Sequence, residues 1–326
     1  TKDRIYVLDG QTSCIYVFRR DGSYNFKICN KGSGPGEYDA IMDFELLKPL
    51  NQLIVLCTNF RKLIFYDSKS GEYIKEKKMG FGALAMAALK PNKFLFDCKL
   101  RMDKGKFGDF SLAITDSSIH IQSGYFPRVN YPSTEKTPFT KYRDFVYYCS
   151  NYSNDVFAFK NDVMVKKYTI DFGKRELNLS KLPNELFASK GIRDRRFEPF
   201  LDNKKFKKYL TTREIAYHVT SFLESNSFIK FNFIYGGNYV NALHNKNTGI
   251  TKTYLSIKQD DDFCIDVVST VFEDYFIGNI GAAFFEESRK RMNVNQREII
   301  KQIFEKRDLN MNYQNPVLIF IKYKNF

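Results

Sequence analysis

Three of the 326 residues are histidine: His120, His218 and His244. Histidine titrates near neutrality and binds metals readily, so it is the first residue to weigh for acid–base or metal chemistry. These three show no H-x-x-x-H spacing and read as belonging to different sheets. No G-x-S-x-G turn is present to hold a serine nucleophile above a sheet. The six cysteines, Cys14, Cys29, Cys57, Cys98, Cys149 and Cys264, contain no C-x-x-C pair, which speaks against structural zinc. Cys57, Cys98 and Cys149 each end an apolar run (QLIVLC, KFLFDC, FVYYC) and are expected to be small buried side chains. A disulfide needs Cα atoms within about 7 Å, which spacing alone does not specify, so the cysteines leave the compartment open. Cys149 and His218 lie in different predicted sheets, and their proximity is likewise open.

Basic side chains interleaved with aromatics offer a different chemistry. Residues 174–214 hold twelve Lys/Arg and six Asp/Glu, so this segment carries +6 of a formal net charge of +14. Within it, Arg193, Arg195 and Arg196 precede Phe197, and Lys204 and Lys205 precede Phe206 and Tyr209. Cations suit phosphate or other anionic groups, and aromatic rings offer stacking surfaces. Arg193, Arg195, Arg196, Lys204, Lys205 and Tyr209 are therefore the candidate ligand-binding residues. The competing reading is an amphipathic cap whose aromatics pack down while its lysines face water. Pro183 opens one short helix, and Asp202 can cap another over Lys204–Leu210, with Phe206, Tyr209 and Leu210 on one face.

The elements around this segment are strands. Short Ile/Val/Phe/Tyr-rich runs alternate with turn residues. IYVLD (5–9) precedes CIYVFRRDGSYNFKI (14–28), and LIVLC (53–57) precedes KLIFYDSKSGEYIKEKK (62–78). Asp21-Gly22 and Ser70-Gly71 mark hairpin turns. The unit returns with strand starts near 5, 53, 94, 145, 228 and 274, a spacing of about 40–50 residues that marks propeller blades. The one long gap, 145 to 228, contains the basic segment. Inner strands are expected at DFELLK (43–48), LAMAALK (84–90), FTKYR (139–143), IAYHVTSFL (215–223) and CIDVVSTVF (264–272), and NPVLIFIKYKNF (315–326) closes the chain. The sum is 22 strands, two short of a complete set; the missing pair would precede Thr1. Near the C-terminus, Asn295 and Glu298 can open a capped helix bearing Ile299, Ile300, Ile303 and Phe304.

The expected architecture is all-β: one six-bladed β-propeller over residues 1–326, with a helical basic insertion at 174–214 between blades 4 and 5 and a helical segment in blade 6. No Trp is present, against WD repeats, and no apolar run of about 18 residues, against a membrane span. Thr1-Lys2-Asp3-Arg4 does not read as a signal peptide.

Lys31-Gly-Ser-Gly-Pro-Gly-Glu-Tyr38, with IYVLD and VFRRDG before it, resembles the G-x-GPGEY stretch of Bacteroides-type six-bladed propellers related to NHL repeats. The resemblance is concentrated in residues 4–78. It implies export to the cell envelope, as a periplasmic protein or an outer-membrane lipoprotein, and little about activity. The motif itself reads as a tight structural turn. A phosphate loop would need Gly-Lys-Ser/Thr entering a helix.

Some six-bladed propellers hold an axial calcium and act as lactonases or phosphotriesterases, and NHL-type relatives bind RNA. The carboxylates that would serve calcium here are Asp43, Glu45 and Asp266, on inner strands; oxygen ligands suit that ion. Asp260-Asp261-Asp262 reads instead as a solvated turn. The residues favour a non-enzymatic binding or scaffold module without a cofactor, presenting a face to a glycan, peptide or protein. The alternatives are the calcium-dependent hydrolase and a polyanion binder. Nucleic acid is disfavoured, because an exported protein would not meet it.

Overall fold

The structure, a computed structural model, describes residues 1–57, 61–98, 110–127, 138–150, 152–160, 162–186, 202–255, 268–280 and 317–324, together with Asn59, Val294, Glu298 and Phe326. These residues form 22 strands in six antiparallel sheets. Blade 1 holds β1 (Arg4–Asp9), β2 (Cys14–Arg19) and β3 (Tyr24–Ile28). Blade 2 holds β4 (Asp43–Leu47), β5 (Gln52–Cys57), β6 (Lys62–Asp67) and β7 (Tyr73–Lys78). Blade 3 holds β8 (Ala85–Lys90), β9 (Lys93–Asp97), β10 (Phe110–Thr115) and β11 (Ile121–Pro127). Blade 4 holds β12 (Phe139–Tyr142), β13 (Phe145–Cys149), β14 (Asp155–Lys160) and β15 (Val163–Thr169). Blade 5 holds β16 (Ala216–Glu224), β17 (Phe228–Tyr235), β18 (Asn238–Asn245) and β19 (Thr251–Leu255), and blade 6 holds β20 (Val268–Phe272), β21 (Tyr275–Ile280) and β22 (Val317–Ile321). The blade boundaries and the three-strand content of the first and last blades match the sequence expectation. The expected turns at Gly22 and Gly71 carry φ of 88° and 80°, in the left-handed region that favours glycine.

Blade-on-blade packing explains the unbroken apolar runs. Side chains alternate across a strand, so a strand buried on both faces needs apolar residues at every position. In β5, Leu53, Val55 and Cys57 join Ile15, Val17 and Ile28 of blade 1 in one cluster, while Ile54 and Leu56 pack with Phe94 and Phe96 of blade 3. The same alternation builds clusters between blades 3 and 4, 4 and 5, and 5 and 6. The outer strand β7, Tyr73-Ile-Lys-Glu-Lys-Lys78, is exposed and lysine-rich, which discourages edge-to-edge pairing with another sheet.

Cys57, Cys98 and Cys149 are buried thiols, as expected; burial pushes the Cys57 thiol up to about 12. Cys14 and Cys29 form a disulfide with a Cα–Cα distance of 4.5 Å. Pairing of Ile15 with Ile28 places the two cysteines opposite each other at the end of the β2–β3 hairpin. One sequence reading is corrected. His218 and His244 share blade 5, on β16 and β18, because the long insertion precedes both. The short helix expected at Pro183 is present as a 3-10 turn over Asn184–Leu186, and the residues that follow it lie outside the described residues. The stripe at Ile299–Phe304 and the Asp260–Asp262 turn lie outside the described residues; Val294 and Glu298 are helical.

Strand direction sorts the connections onto two faces. In an alternating antiparallel order, the exit from each outer strand and the turn between each pair of middle strands open at the same end. The strand ends that open there include every pair separated by more than five residues of sequence: 29–42, 79–84, 98–109, 128–138, 170–215, 256–267 and 281–316. At the opposite end no connection exceeds five residues. The long-loop face thus includes both the Gly-rich motif and the basic insertion.

Candidate functional site

The insertion is held down by its own apolar face. α1 (Asn203–Thr212) begins at Asp202, whose carboxylate accepts from the Lys204 and Lys205 amides at 3.0 and 3.1 Å. Those N–H groups, Lys205 first, lower the Asp202 pKa. Phe206 and Leu210 of α1 are buried with Leu177, Leu186 and Tyr217. Tyr152, from the β13–β14 turn, lies 5.7 Å from the Phe206 ring and stacks on Tyr217. Glu176 forms a parallel bridge with Ala216, joining the insertion to the start of β16. A Cβ on Gly237 would lie 3.1 Å from the Thr211 hydroxyl, so a glycine in the β17–β18 turn allows α1 to end against it.

Between the 3-10 turns at Gly173–Arg175 and Leu179–Lys181 and the C-terminal end of α1 lies a cleft of about 630 Å³. Its walls carry Lys174, Arg175, Lys181 and Arg213 against Glu176 and Glu214. Arg175 and Glu214 pair at 2.9 Å, both about half exposed. The Arg213 guanidinium sits 4.8 Å over the Tyr209 ring, one helical turn back. Among the described residues, Lys174 and Lys181 have no ion pair.

Of the six expected ligand-binding residues, Tyr209 lines this cleft. Lys204 and Lys205 lie at the other end of α1, where the Lys205 ammonium donates to the Glu185 carbonyl at 3.4 Å. Arg193, Arg195 and Arg196 lie outside the described residues. Sequence reading missed Lys174, Arg175, Lys181 and Arg213. Their signal was present in the charge of 174–214, but they flank the conspicuous cation–aromatic runs instead of forming them.

The axis presents a second group. Inner strands leave one backbone edge without a sheet partner, and buried edge amides must find acceptors. Asp43 accepts from the Met86 amide at 2.8 Å and Glu45 from the Ala88 amide at 3.2 Å, so two blade 2 carboxylates cap the edge of β8. Lys141 of β12 reaches past blade 3 to Glu45 at 2.6 Å. β12 also approaches β8, β16 and β20 to Cα separations within 8 Å, so the axis is narrow where these strands meet. Desolvation pushes Asp43 up to about 7, against the pull of the Met86 and Phe44 amides. Asp266 lies outside the described residues. The two described carboxylates of the calcium reading are thus engaged with β8, and Glu45 already faces an ammonium. Calcium would have to displace these contacts.

The Gly-rich loop is structural in its contacts. The Glu37 carboxylate accepts from the Gly34 amide at 2.9 Å, and Tyr38 is fully buried with its hydroxyl donating to the Ile28 carbonyl. A Cβ at Gly32 would collide with the Glu37 carboxylate, and one at Gly36 (φ 72°) would lie 2.6 Å from the Tyr73 ring. No catalytic geometry forms there among the described residues.

Six radial antiparallel sheets, joined from outer to inner strand around a narrow axis with elaborated loops on one end, define a β-propeller. The chain belongs to the family described as 6-bladed beta-propeller, whose model matches residues 1–279. It is similar in structure to a protein of Bacteroides fragilis NCTC 9343 whose name marks it as a candidate exported protein. That match has 16% identity and a TM-score of 0.77, covering 99% of this chain and 88% of that one. It is also similar to a member of the DUF4221 family from Bacteroides vulgatus ATCC 8482, with 11% identity and a TM-score of 0.51, covering 85% and 84% of the two chains. At these identities the likeness concerns the fold. No curated protein matches the sequence.

Proposed function

We propose that this propeller is a non-enzymatic binding module of the cell envelope, and that its ligand, a glycan, peptide or protein segment, docks on the long-loop face at the cleft beside α1. The observation that carries this reading is the asymmetry of the two faces. One end has only minimal turns, while the strand ends at the other are the ones separated by the longer stretches of sequence, and the cleft lies there. Rigid scaffolds commonly place recognition on such loops, and about 630 Å³ lies within the range of ligand pockets. The Cys14–Cys29 disulfide supports an oxidising compartment, where such bonds persist. The name of the Bacteroides fragilis neighbour supports the same location. The same reading extends to a lipid-anchored protein at the outer membrane.

The test is a glycan and peptide array probed with the wild-type protein and with Thr212→Trp, which fills the cleft without changing charge. We expect a ligand that binds the first and loses most of its signal with the second. Equal binding by a folded Thr212→Trp protein would move the site elsewhere.

A further inference from the structure

We infer that the cleft beside α1 takes an acidic sugar, a short glycan whose carboxylate or sulfate groups sit among Lys174, Arg175, Lys181 and Arg213. This rests on the proposed binding site and names its ligand class. The cleft has four cations against two carboxylates. Lys174 and Lys181 carry charges that no described side chain compensates. Arg175 is tied to Glu214, but the pair is about half exposed, and exposed pairs contribute little. An incoming anion can therefore take the guanidinium at small cost. Arg213 is oriented by the Tyr209 ring beneath it. Together these groups provide mobile ammonium ions and guanidinium groups that can bind an anion in bidentate fashion.

The remaining lining suits hydroxyl groups. The Thr211 and Thr212 hydroxyls donate to the Lys207 and Lys208 carbonyls at 2.9 Å each, which leaves their oxygen lone pairs as acceptors. The Asn178 side-chain oxygen accepts from the Ser180 amide and hydroxyl, and its amide group keeps hydrogens to donate. A peptide usually docks through apolar side-chain pockets or a sheet edge. The apolar lining residues are Leu177 and Ile215; Leu177 is turned into the core, and the walls are 3-10 turns and a helix end. A sugar ring with an acidic substituent can use both the hydroxyl-bonding groups and the uncompensated cations.

The experiment is affinity electrophoresis through gels containing polygalacturonate, neutral dextran or poly-glutamate, with isothermal titration of short galacturonate oligomers. The proteins are wild type, Lys174→Glu/Lys181→Glu, and Lys75→Glu/Lys77→Glu on the exposed strand β7. We expect polygalacturonate to retard the wild type and the β7 variant. The cleft reversal should weaken the binding by about tenfold or more, which corresponds to ~1.4 kcal/mol. Retardation by poly-glutamate equal to that by polygalacturonate would overturn the sugar assignment and leave an anion site. Retardation by dextran that survives the cleft reversal would overturn the role of charge. Loss of binding in the β7 variant alone would place the anion surface outside the cleft. If no gel retards the wild type, the acidic-sugar assignment fails. The binding-module reading then stands or falls separately on the Thr212→Trp array result.

Discussion

Asp43 shows how one side chain serves two opposed requirements. Capping the Met86 amide on β8 calls for an acceptor, while the buried position disfavours its charge. The folded pKa of about 7 lies above the ordinary value of 3.8. Between those values the folded state holds a proton that the unfolded state has released, so stability falls as pH rises through this window and levels off above it. The full difference is about 4 kcal/mol. Urea unfolding at pH 5 and pH 8 should show the wild type more stable at the lower value. Asp43→Asn should narrow that difference, because the amide remains neutral at both. An unchanged pH difference in the variant would show that another group sets it. Lys141 is the complementary case, since its place beside Glu45 makes it an axial residue that only blade order could reveal.

At the scale of the element, the insertion consists of short turns tied together by one helix. A helix of ten residues is marginal by itself and depends on packing and capping. Phe206 and Leu210 supply the packing, and Asp202 accepts two of the otherwise orphaned amides. Asp202→Ala should cost about 1 kcal/mol. Hydrogen exchange should show it as faster exchange of the α1 amides, with strands β4–β6 unchanged. Slower exchange, or a loss spread evenly over the blades, would contradict a local cap. Because the cleft wall is the far end of the same helix, this variant should also weaken any ligand that binds there.

For the whole molecule, a propeller holds together through a series of blade-to-blade interfaces, and its first and last blades need separate fastening. The Cys14–Cys29 disulfide closes 15 residues of blade 1, next to the apolar cluster shared with blade 2. Loop-closure entropy puts its contribution at about 3 kcal/mol. Cys14→Ser/Cys29→Ser should therefore unfold at a lower denaturant concentration than the wild type. A reducing agent should lower the wild-type midpoint but leave the variant unmoved. If the two proteins unfold together in oxidising buffer, the bridge contributes nothing to the ring. The contrast between a short-turn face and a long-loop face is also a property of the whole molecule. No single connection shows it, and the proposed binding site rests on it.

The sequence alone determined the blade plan. Strand periodicity, glycine at positive-φ turns and apolar runs at double-sided strands are local signals, legible in β5, Gly22 and Gly71 without any neighbour in view. It also located the Asp202 cap and the apolar face of α1, both set within one helix. Tertiary structure decided the contacts between distant residues. Glu45 and Lys141 are 96 positions apart, and Asp43 and Met86 are 43 apart. Cys14 met Cys29 only once the register of β2 and β3 was set. The cleft draws one wall from the start of the insertion and the other from its end. Its cations became a cluster when α1 folded back against blade 5, because burying Phe206 and Leu210 left Arg213 and Tyr209 facing Lys174, Arg175 and Lys181.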